Sequence, residues 1–267
     1  MTITAKDVQK LREQTSVGMM DCKKALTETN GDFEKAVQYL REKGLAKAAK
    51  KADRDANEGA IFTAVNSDRT QAAIIVLNCE TDFVSGNDIF KSFGQRVAQE
   101  ALNQSVSSVD QLTIDGKSVT DATSEIVSQV GENTSVKLVQ LVSGQTVQDY
   151  IHLNGKIGVV VGFDNAVDET VAKDIAMQVA AVNPQFIDPS QVPSDNLEQE
   201  REIIANQARN EGKPEPVIEK IVDGRIQKYY KETCLIKQEF IKDNSQTIQD
   251  ILPNNTTVTA MHRFSIG

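Results

Sequence analysis

The feature that most constrains the fold of this chain is an internal repeat of two strands followed by a helix. In each copy, two short apolar segments flank a turn and precede a segment with apolar residues at helical spacing. The predicted elements cover residues 60–66, 71–78 and 88–102 in the first copy, and 147–153, 156–163 and 168–182 in the second. Because a sheet and an amphipathic helix each need a partner for one apolar face, we expect two α+β subdomains. Each is an antiparallel sheet covered by a helix, with a further strand at residues 136–142 in the first.

The first 45 residues have the pattern of three short helices packed as a bundle. Thr4 and Asp7 are spaced to cap the first helix, and Asp32 is placed to cap the third. Gly44 is expected to end that third helix. Residues 46–58 are charged, rich in alanine and poor in large apolar side chains, which predicts a helical linker.

A charged helical hairpin is expected as an insertion at residues 193–231, broken at residues 212–214. The apolar residues predicted to face each other are Leu197, Ile204 and Ala208 on one arm and Val217, Ile221 and Ile226 on the other. The sequence thus divides into a bundle at 1–45, a linker at 46–58, a first core subdomain at 59–143 and a second at 144–267. A final strand at residues 256–266 completes the second subdomain.

Composition and charge argue against several classes of function. The net charge is −9 and the pI is about 4.9, whereas nucleic-acid binding needs a basic surface, so we expect no direct nucleic-acid contact. The chain starts without a signal-peptide pattern, and no apolar run approaches the roughly 20 residues that span a membrane. Three widely spaced cysteines (Cys22, Cys79 and Cys234) fit a reducing compartment. We therefore expect a cytoplasmic protein that does not contact membranes.

Groups that support catalysis are sparse in this sequence. It has two histidines, His152 and His262, and no zinc-binding, phosphate-loop or nucleophile motif. The cysteines form no CxxC pair, and Cys79 is expected to be a packed thiol. We expect no catalytic residue, no metal site and no cofactor, and the chain is not expected to be an enzyme.

The two copies of the repeat differ most in the connector between the second strand and the helix. The second copy uses a short polar connector at residues 164–168, whereas the first uses residues 78–87, with Phe83 in the middle. A phenylalanine in a loop is either folded back into the core or offered to a partner as an anchor. The spacing alone leaves both interpretations open.

Four groups of residues resemble signatures of the bacterial elongation factor Ts family, in the family's order and over nearly the whole chain. They are LREQT at 11–15 with GMMDCKKAL at 18–26, NCETDFV at 78–84, His152 with GKIGVVV at 155–161, and ETCLIKQEF at 232–240. The sequence departs from the family at Ser16-Val17, where a smaller pair is usual, and at Glu239, where many relatives have proline. It also ends at Gly267, where some relatives continue into a helical module, so that module's contact with the partner is not expected here.

The resemblance implies a translation elongation factor that acts as the guanine-nucleotide exchange factor of elongation factor Tu. Such a factor binds the nucleotide-free partner, promotes GDP release by disturbing its Mg²⁺ site, and allows GTP to rebind. The family's contact loop corresponds to Thr81, Asp82, Phe83 and Val84. Phe83 is then the wedge between partner helices, and Asp82 acts on the polar network around the metal. A higher-order complex with the partner is compatible with this resemblance.

Two further contacts are implied by the same resemblance. The N-terminal bundle is similar to ubiquitin-associated domains and docks on the partner's GTPase domain through positions that match Arg12, Met19 and Met20. His152 is the matching candidate in the second subdomain. The spacing also fits plainer roles, with Met19 in the bundle core, Arg12 as a solvated charge and His152 as an ordinary turn residue.

Two rival functions are compatible with parts of the sequence. One is an adaptor or nascent-chain chaperone that uses the three-helix bundle and does not need the Phe83 connector. The other is an enzyme with Glu80 and Asp82 as an acid–base pair, since residues two apart on a strand share a face. No nucleophile or convergent histidine supports the enzyme.

Overall fold

The computed structural model describes residues 3–15 and 17–267, apart from the side chains of Leu45, Lys47, Ala49 and Asn154. The first two residues and Ser16, which belong to the predicted bundle, lie outside the described residues. The fold is α+β, as predicted: three N-terminal helices precede two antiparallel sheets with covering helices, and a helical hairpin is inserted in the second half. In the described part of the chain, no helix is long and apolar enough to cross a membrane.

The three helices of the bundle are α1 (Ala5–Thr15), α2 (Met19–Glu28) and α3 (Phe33–Lys51). The predicted caps are present. The Thr4 hydroxyl accepts a hydrogen bond from the Asp7 amide at 3.2 Å, the Asp7 carboxylate accepts one from the Thr4 amide at 3.0 Å, and Asp32 accepts one from the Lys35 amide at 3.1 Å. The buried core of the bundle consists of Val8, Leu11, Cys22, Ala25, Leu26, Ala36 and Leu40.

The prediction that Gly44 ends the third helix is wrong, because α3 continues for seven more residues to Lys51. A glycine inside a helix costs only about 1 kcal/mol relative to alanine, so packing can override it. Here Gly44 is buried against Ser128 of α6 (Val119–Val130), and a side chain at position 44 would collide with the serine hydroxyl. The first part of the predicted linker is therefore a helix packed on the core.

The first sheet contains β1 (Glu58–Val65), β2 (Gln71–Cys79) and β5 (Thr134–Ser143), in the order β1-β2-β5 with antiparallel pairing throughout. After β2 come a single helical turn, α4 (Asp82–Ser85), and the covering helix α5 (Asp88–Gln104). A small hairpin of β3 (Thr113–Ile114) and β4 (Lys117–Ser118) leads into α6. The sequence pattern predicts neither this hairpin nor α6, whose serine and threonine residues weaken the helical signal.

The second sheet contains β6 (Thr146–His152), β7 (Ile157–Phe163) and β10 (Val258–Ser265), in the order β10-β7-β6. Its covering helix is α7 (Glu169–Val182). The hairpin between β6 and β7 turns through a 3₁₀ segment at Leu153–Gly155, with positive φ values at Leu153 and Gly155. Near the C-terminus, β8 (Glu239–Phe240), β9 (Asp243–Thr247) and the short α10 (Ile248–Ile251) precede β10.

The two sheets pack against each other on the faces that their own helices leave uncovered. In β2, alternate residues point to opposite sides: Ala73 and Ile75 pack under α5, whereas Ala72 and Ile74 join Val147 and Val160 of the second sheet. This alternation follows from the two-residue period of a strand. The layers therefore run helix, sheet, sheet, helix, and the two copies of the repeat share one central apolar interface.

The helical hairpin consists of α8 (Ser194–Asn210) and α9 (Glu215–Thr233). Ile204 and Ala208 are buried against α9, as predicted. On α9, Ile226 is buried and Ile221 is half-buried in the same cluster, as predicted. Val217 is exposed, contrary to the prediction, and Ile218 and Val222 are buried instead. Ile218, Val222 and Ile226 are four residues apart, so they form one continuous stripe on the helix. Val217 lies outside this stripe.

Candidate protein-binding site

The connector that carries Phe83 folds into the single helical turn α4 between two capping residues. The Thr81 hydroxyl accepts a hydrogen bond from the Val84 amide at 3.4 Å, and the Asn87 side chain accepts one from the Ile89 amide at 2.8 Å at the start of α5. The Gly86 amide donates to the Asp82 carbonyl at 2.9 Å. Local polar groups therefore specify this turn, which gives the connector one fixed shape.

The four residues from Thr81 to Val84 divide into an inward pair and an outward pair. Val84 is buried in the core beneath α5, and Thr81 is half-buried. Asp82 is exposed, and the Phe83 side chain is 86% exposed. Successive residues on a helix point about 100° apart, so burial of Val84 directs Phe83 to solvent. The interpretation of Phe83 as a core plug is therefore wrong, because Val84 occupies the core instead.

Thr81 is held by the end of β2 and by the loop before β5. Its amide donates to Glu132 Oε2 at 3.0 Å, and its hydroxyl donates to Glu132 Oε1 at 2.7 Å. The Cys79 thiol donates to the Thr81 carbonyl at 3.1 Å. Burial raises the pKa of that thiol to about 12, so Cys79 is a protonated, packed donor, as its predicted role requires.

A cleft of about 630 Å³ lies beside α4 and extends to the hairpin of the second sheet. Asp82 and Gly86 line one side of the cleft, and Ile151 and Gly155 line the other. His152, the candidate in the second subdomain, is the exposed last residue of β6 at this hairpin, where its Nδ1 lies 2.9 Å from the Tyr150 hydroxyl. The fold therefore places Asp82 of the first subdomain and the β6–β7 turn of the second along one cleft.

Sequence reasoning missed two apolar residues on either side of His152. Ile151 is 37% exposed and Leu153 is 62% exposed. A leucine at a turn position with positive φ has no local structural reason to be apolar, because the left-handed region favours glycine, asparagine and aspartate. That mismatch between residue type and turn position is the signal that could have identified this surface.

The three candidates in the N-terminal bundle are all exposed. Arg12 lies on α1, and Met19 and Met20 begin α2, with 44% and 76% of their surfaces accessible to solvent. The interpretation of Met19 as a core residue is therefore wrong. The bundle core uses Cys22, Ala25 and Leu26 of the same helix instead. These three candidates do not line the cleft beside Phe83 and constitute a separate surface.

The acid–base pair considered for an enzyme does not form. The strand ends at Cys79, so Glu80 and Asp82 are not two positions of one strand. Glu80 accepts a hydrogen bond from the Asn133 amide at 2.6 Å, whereas Asp82 is exposed on α4. Within residues 3–15 and 17–267, no three histidine, cysteine, aspartate or glutamate side chains are grouped so that they could hold a metal ion.

Comparison with known proteins decides the family. A sequence model described as Elongation factor TS matches residues 80–267. A protein named Elongation factor Ts from Clostridium perfringens (strain SM101 / Type A) is 47% identical over 99% of this chain and 93% of its own length. Another with that name, from Clostridium botulinum (strain Alaska E43 / Type E3), is 48% identical over 92% of this chain and 84% of its own length. The chain belongs to the elongation factor Ts family.

Membership makes the chain a translation elongation factor and confirms the resemblance drawn from the four signatures. It also supports the expected role in nucleotide exchange on elongation factor Tu. In this elongation factor Ts family member, the matched region includes the Phe83 turn, the hairpin between β6 and β7 and the helical hairpin.

Proposed function

We propose that this chain is the guanine-nucleotide exchange factor of elongation factor Tu, and that Phe83 is inserted between partner helices near the Mg²⁺ site. The observation that carries the proposal is the 86% exposure of Phe83 on a turn whose neighbour Val84 is anchored in the core. Burying a phenylalanine side chain contributes about 1.5–3 kcal/mol, so a fixed and exposed ring is a strong source of binding free energy for a partner with a matching pocket.

The turn that carries Phe83 is organised before any partner binds. Thr81 and Asn87 cap α4 and α5, and Glu132 holds Thr81 through two hydrogen bonds. Ordering a flexible interface loop costs conformational entropy on association, and a preformed loop avoids most of that cost. The binding free energy of Phe83 is then available to displace a partner helix.

Exchange requires the factor to bind the nucleotide-free partner more tightly than the GDP-bound partner. A wedge that occupies space needed by the Mg²⁺ shell has this property, because it fits only after that shell is disturbed. Asp82 adds a carboxylate beside the ring, facing the cleft, where it competes for polar partners of the metal site. The factor lowers the partner's affinity for GDP by the same ratio as GDP lowers the partner's affinity for the factor, because the two binding equilibria are linked.

The other exposed candidates supply contacts away from the wedge. Arg12, Met19 and Met20 dock the bundle on the partner's GTPase domain, and methionine side chains adapt readily to a partner surface. Ile151, which lines the cleft, and its exposed neighbours His152 and Leu153 form the contact of the second subdomain. No covalent step occurs in this mechanism, and the excess of GTP over GDP sets the direction of exchange.

The test is release of a fluorescent GDP analogue from purified elongation factor Tu, chased with excess GTP. A tenth of an equivalent of this chain should accelerate release of the whole GDP pool, because an exchange factor turns over. An unchanged release rate contradicts the proposal. Binding to unfolded chains without acceleration would support the adaptor function instead.

A further inference from the structure

The loop between α6 and β5, residues 131–133, joins two distant parts of the chain at the base of the Phe83 turn. Glu132 accepts hydrogen bonds from the Thr81 amide at 3.0 Å and from the Thr81 hydroxyl at 2.7 Å. The next residue, Asn133, donates its backbone amide to Glu80 at 2.6 Å. Three hydrogen bonds therefore connect this loop to the two residues that precede Asp82.

The loop is itself held in place from its other side. The buried Asn133 amide group donates to the carbonyl of Arg54 at 2.8 Å and to that of Ala52 at 3.3 Å, just beyond the end of α3. The Lys51 ammonium group donates to the Gly131 carbonyl. This loop is bonded to Glu80 and Thr81 on one side and to the end of α3 and the segment after it on the other. It therefore has little freedom to move and holds Thr81 in a fixed position.

We propose that Glu132 is a positioning residue for nucleotide exchange: it fixes the orientation of Thr81 and, through it, the direction in which Phe83 points. This inference rests on the proposed function, because it concerns the same inserted side chain. Glu132 has no need to touch the partner in this role. It acts through the backbone at Thr81 and through the hydroxyl that caps α4.

The geometry of the Thr81 hydroxyl explains how a carboxylate on a separate loop controls the turn. The hydroxyl has one proton, which it donates to Glu132, and this leaves its lone pairs free to accept from the Val84 amide at 3.4 Å. Without Glu132 the proton has no fixed direction, and the Thr81 side chain can rotate away from its capping position. A single helical turn cannot hold itself together, because helix formation requires several residues to be fixed for the first hydrogen bond.

The second copy of the repeat provides a matched control. There, Asp164 follows β7 and accepts hydrogen bonds from the Thr257 amide at 2.7 Å and from the Thr257 hydroxyl at 2.6 Å. The chemistry is the same, a carboxylate that binds both donors of one threonine, but it closes the connector before β10 and supports no exposed aromatic residue. Asp164→Ala therefore removes the same pair of hydrogen bonds at a place where the proposal predicts no loss of exchange.

The experiment compares full-length wild type with Glu132→Ala, Glu132→Gln, Asp164→Ala and Phe83→Ala in the GDP-release assay over a range of factor concentrations. Glu132→Ala should lower the maximal release rate about tenfold or more, since small misplacements of a positioned group have large kinetic effects. Its half-saturating concentration should change less than about twofold, because the docking surfaces stay intact. Asp164→Ala should leave both parameters unchanged.

Glu132→Gln distinguishes positioning from charge. The glutamine carbonyl accepts from the Thr81 amide and its NH₂ group donates to the Thr81 hydroxyl, so the geometry is retained without the negative charge. We expect this variant to recover most of the maximal rate. A folded Glu132→Gln protein as slow as Glu132→Ala would overturn the positioning role.

Amide hydrogen exchange of the free protein gives a readout that does not involve the partner. Glu132→Ala should speed exchange at residues 84–87, whose amides close the turn, and leave the sheets unchanged. This inference is wrong if Phe83→Ala loses activity while Glu132→Ala keeps both the wild-type rate of GDP release and the wild-type rate of amide hydrogen exchange in the turn. If Phe83→Ala keeps full activity, the proposed function fails, and hydrogen exchange still reports whether Glu132 holds the turn.

Discussion

Gly44 of α3 and Ser128 of α6 are in such close contact that no Cβ atom fits at position 44 without meeting the serine hydroxyl. This contact lets the long third helix pass from the N-terminal bundle onto the core. An ion pair between Arg41 and Glu125, 3.6 Å apart, joins the same two helices. The orientation of the bundle therefore depends on a glycine that local sequence patterns identify as a helix end.

The first prediction concerns this contact. Gly44→Ala should stabilise the protein more in a Ser128→Ala background than in wild type, with a coupling free energy of about 1 kcal/mol, because removal of the hydroxyl makes room for the methyl group. Gly224→Ala is the control: a Cβ at that helix position would have no other atom within 4 Å, so this variant should gain about 1 kcal/mol from helix propensity alone. Urea unfolding measures all of these changes, and additive effects at positions 44 and 128 would contradict the close contact.

The sequence was sufficient to predict the elements that have strong periodic patterns. The repeat of hairpin and helix, the caps at Thr4 and Asp32 and the arms of the helical hairpin all follow from local rules. The continuation of α3 beyond Gly44 could not be predicted, because its cause is a contact with Ser128 of α6, which is more than 80 positions away. That helix, α6, was itself not predicted, since its threonine and serine residues resemble those of a loop.

The second prediction concerns the bundle surface. Met20→Ala should weaken binding to elongation factor Tu by about 1–2 kcal/mol, as expected for an interface residue that is largely exposed in the free protein. The maximal rate of GDP release should stay the same, because a docking contact made equally in all states changes affinity and not rate. Calorimetric titration and the release assay measure the two effects. Glu34→Ala, which truncates an exposed side chain on α3, is the control. An unchanged affinity of Met20→Ala for elongation factor Tu would contradict the docking role of Met20.

The third prediction concerns pH. His262 lies on β10, where burial lowers its pKa below the ordinary value of about 6.5. Between the folded and unfolded pKa values the unfolded chain binds more protons, so stability is fully present above about pH 6.5 and decreases as the pH falls below it. The decrease is at most about 1.4 kcal/mol per pH unit for one proton.

The measurement is urea unfolding at several pH values between about 5 and 8, with His262→Gln and His152→Gln for comparison. The free energy of unfolding of His262→Gln should depend less on pH in this window than that of wild type. His152→Gln retains His262 and should therefore retain the part of the pH dependence that His262 contributes. Equal slopes for wild type and His262→Gln would contradict the lowered pKa of His262 in the folded protein.

The candidate site was predictable only in part, for a physical reason. The four residues from Thr81 to Val84 were identified through family resemblance, but the spacing did not reveal which of them point outward. That depends on the burial of Val84 under α5 and on the support of Thr81 by Glu132, which is 51 positions away in the sequence. Ile151 and Leu153 were missed because their exposure follows from the turn between β6 and β7, whose length was predicted incorrectly.

The most direct test of the account is the rate of GDP release from elongation factor Tu with Phe83→Ala. The exposed ring contributes little to the fold, so its removal should change stability by less than about 0.5 kcal/mol, which thermal unfolding checks. Val217→Ala, which truncates another exposed apolar side chain on the helical hairpin, is the control and should keep the wild-type rate. Folded Phe83→Ala should lose about 10- to 100-fold in the rate of GDP release, the size expected for a central interface anchor. A folded Phe83→Ala protein with the wild-type rate would contradict the central claim.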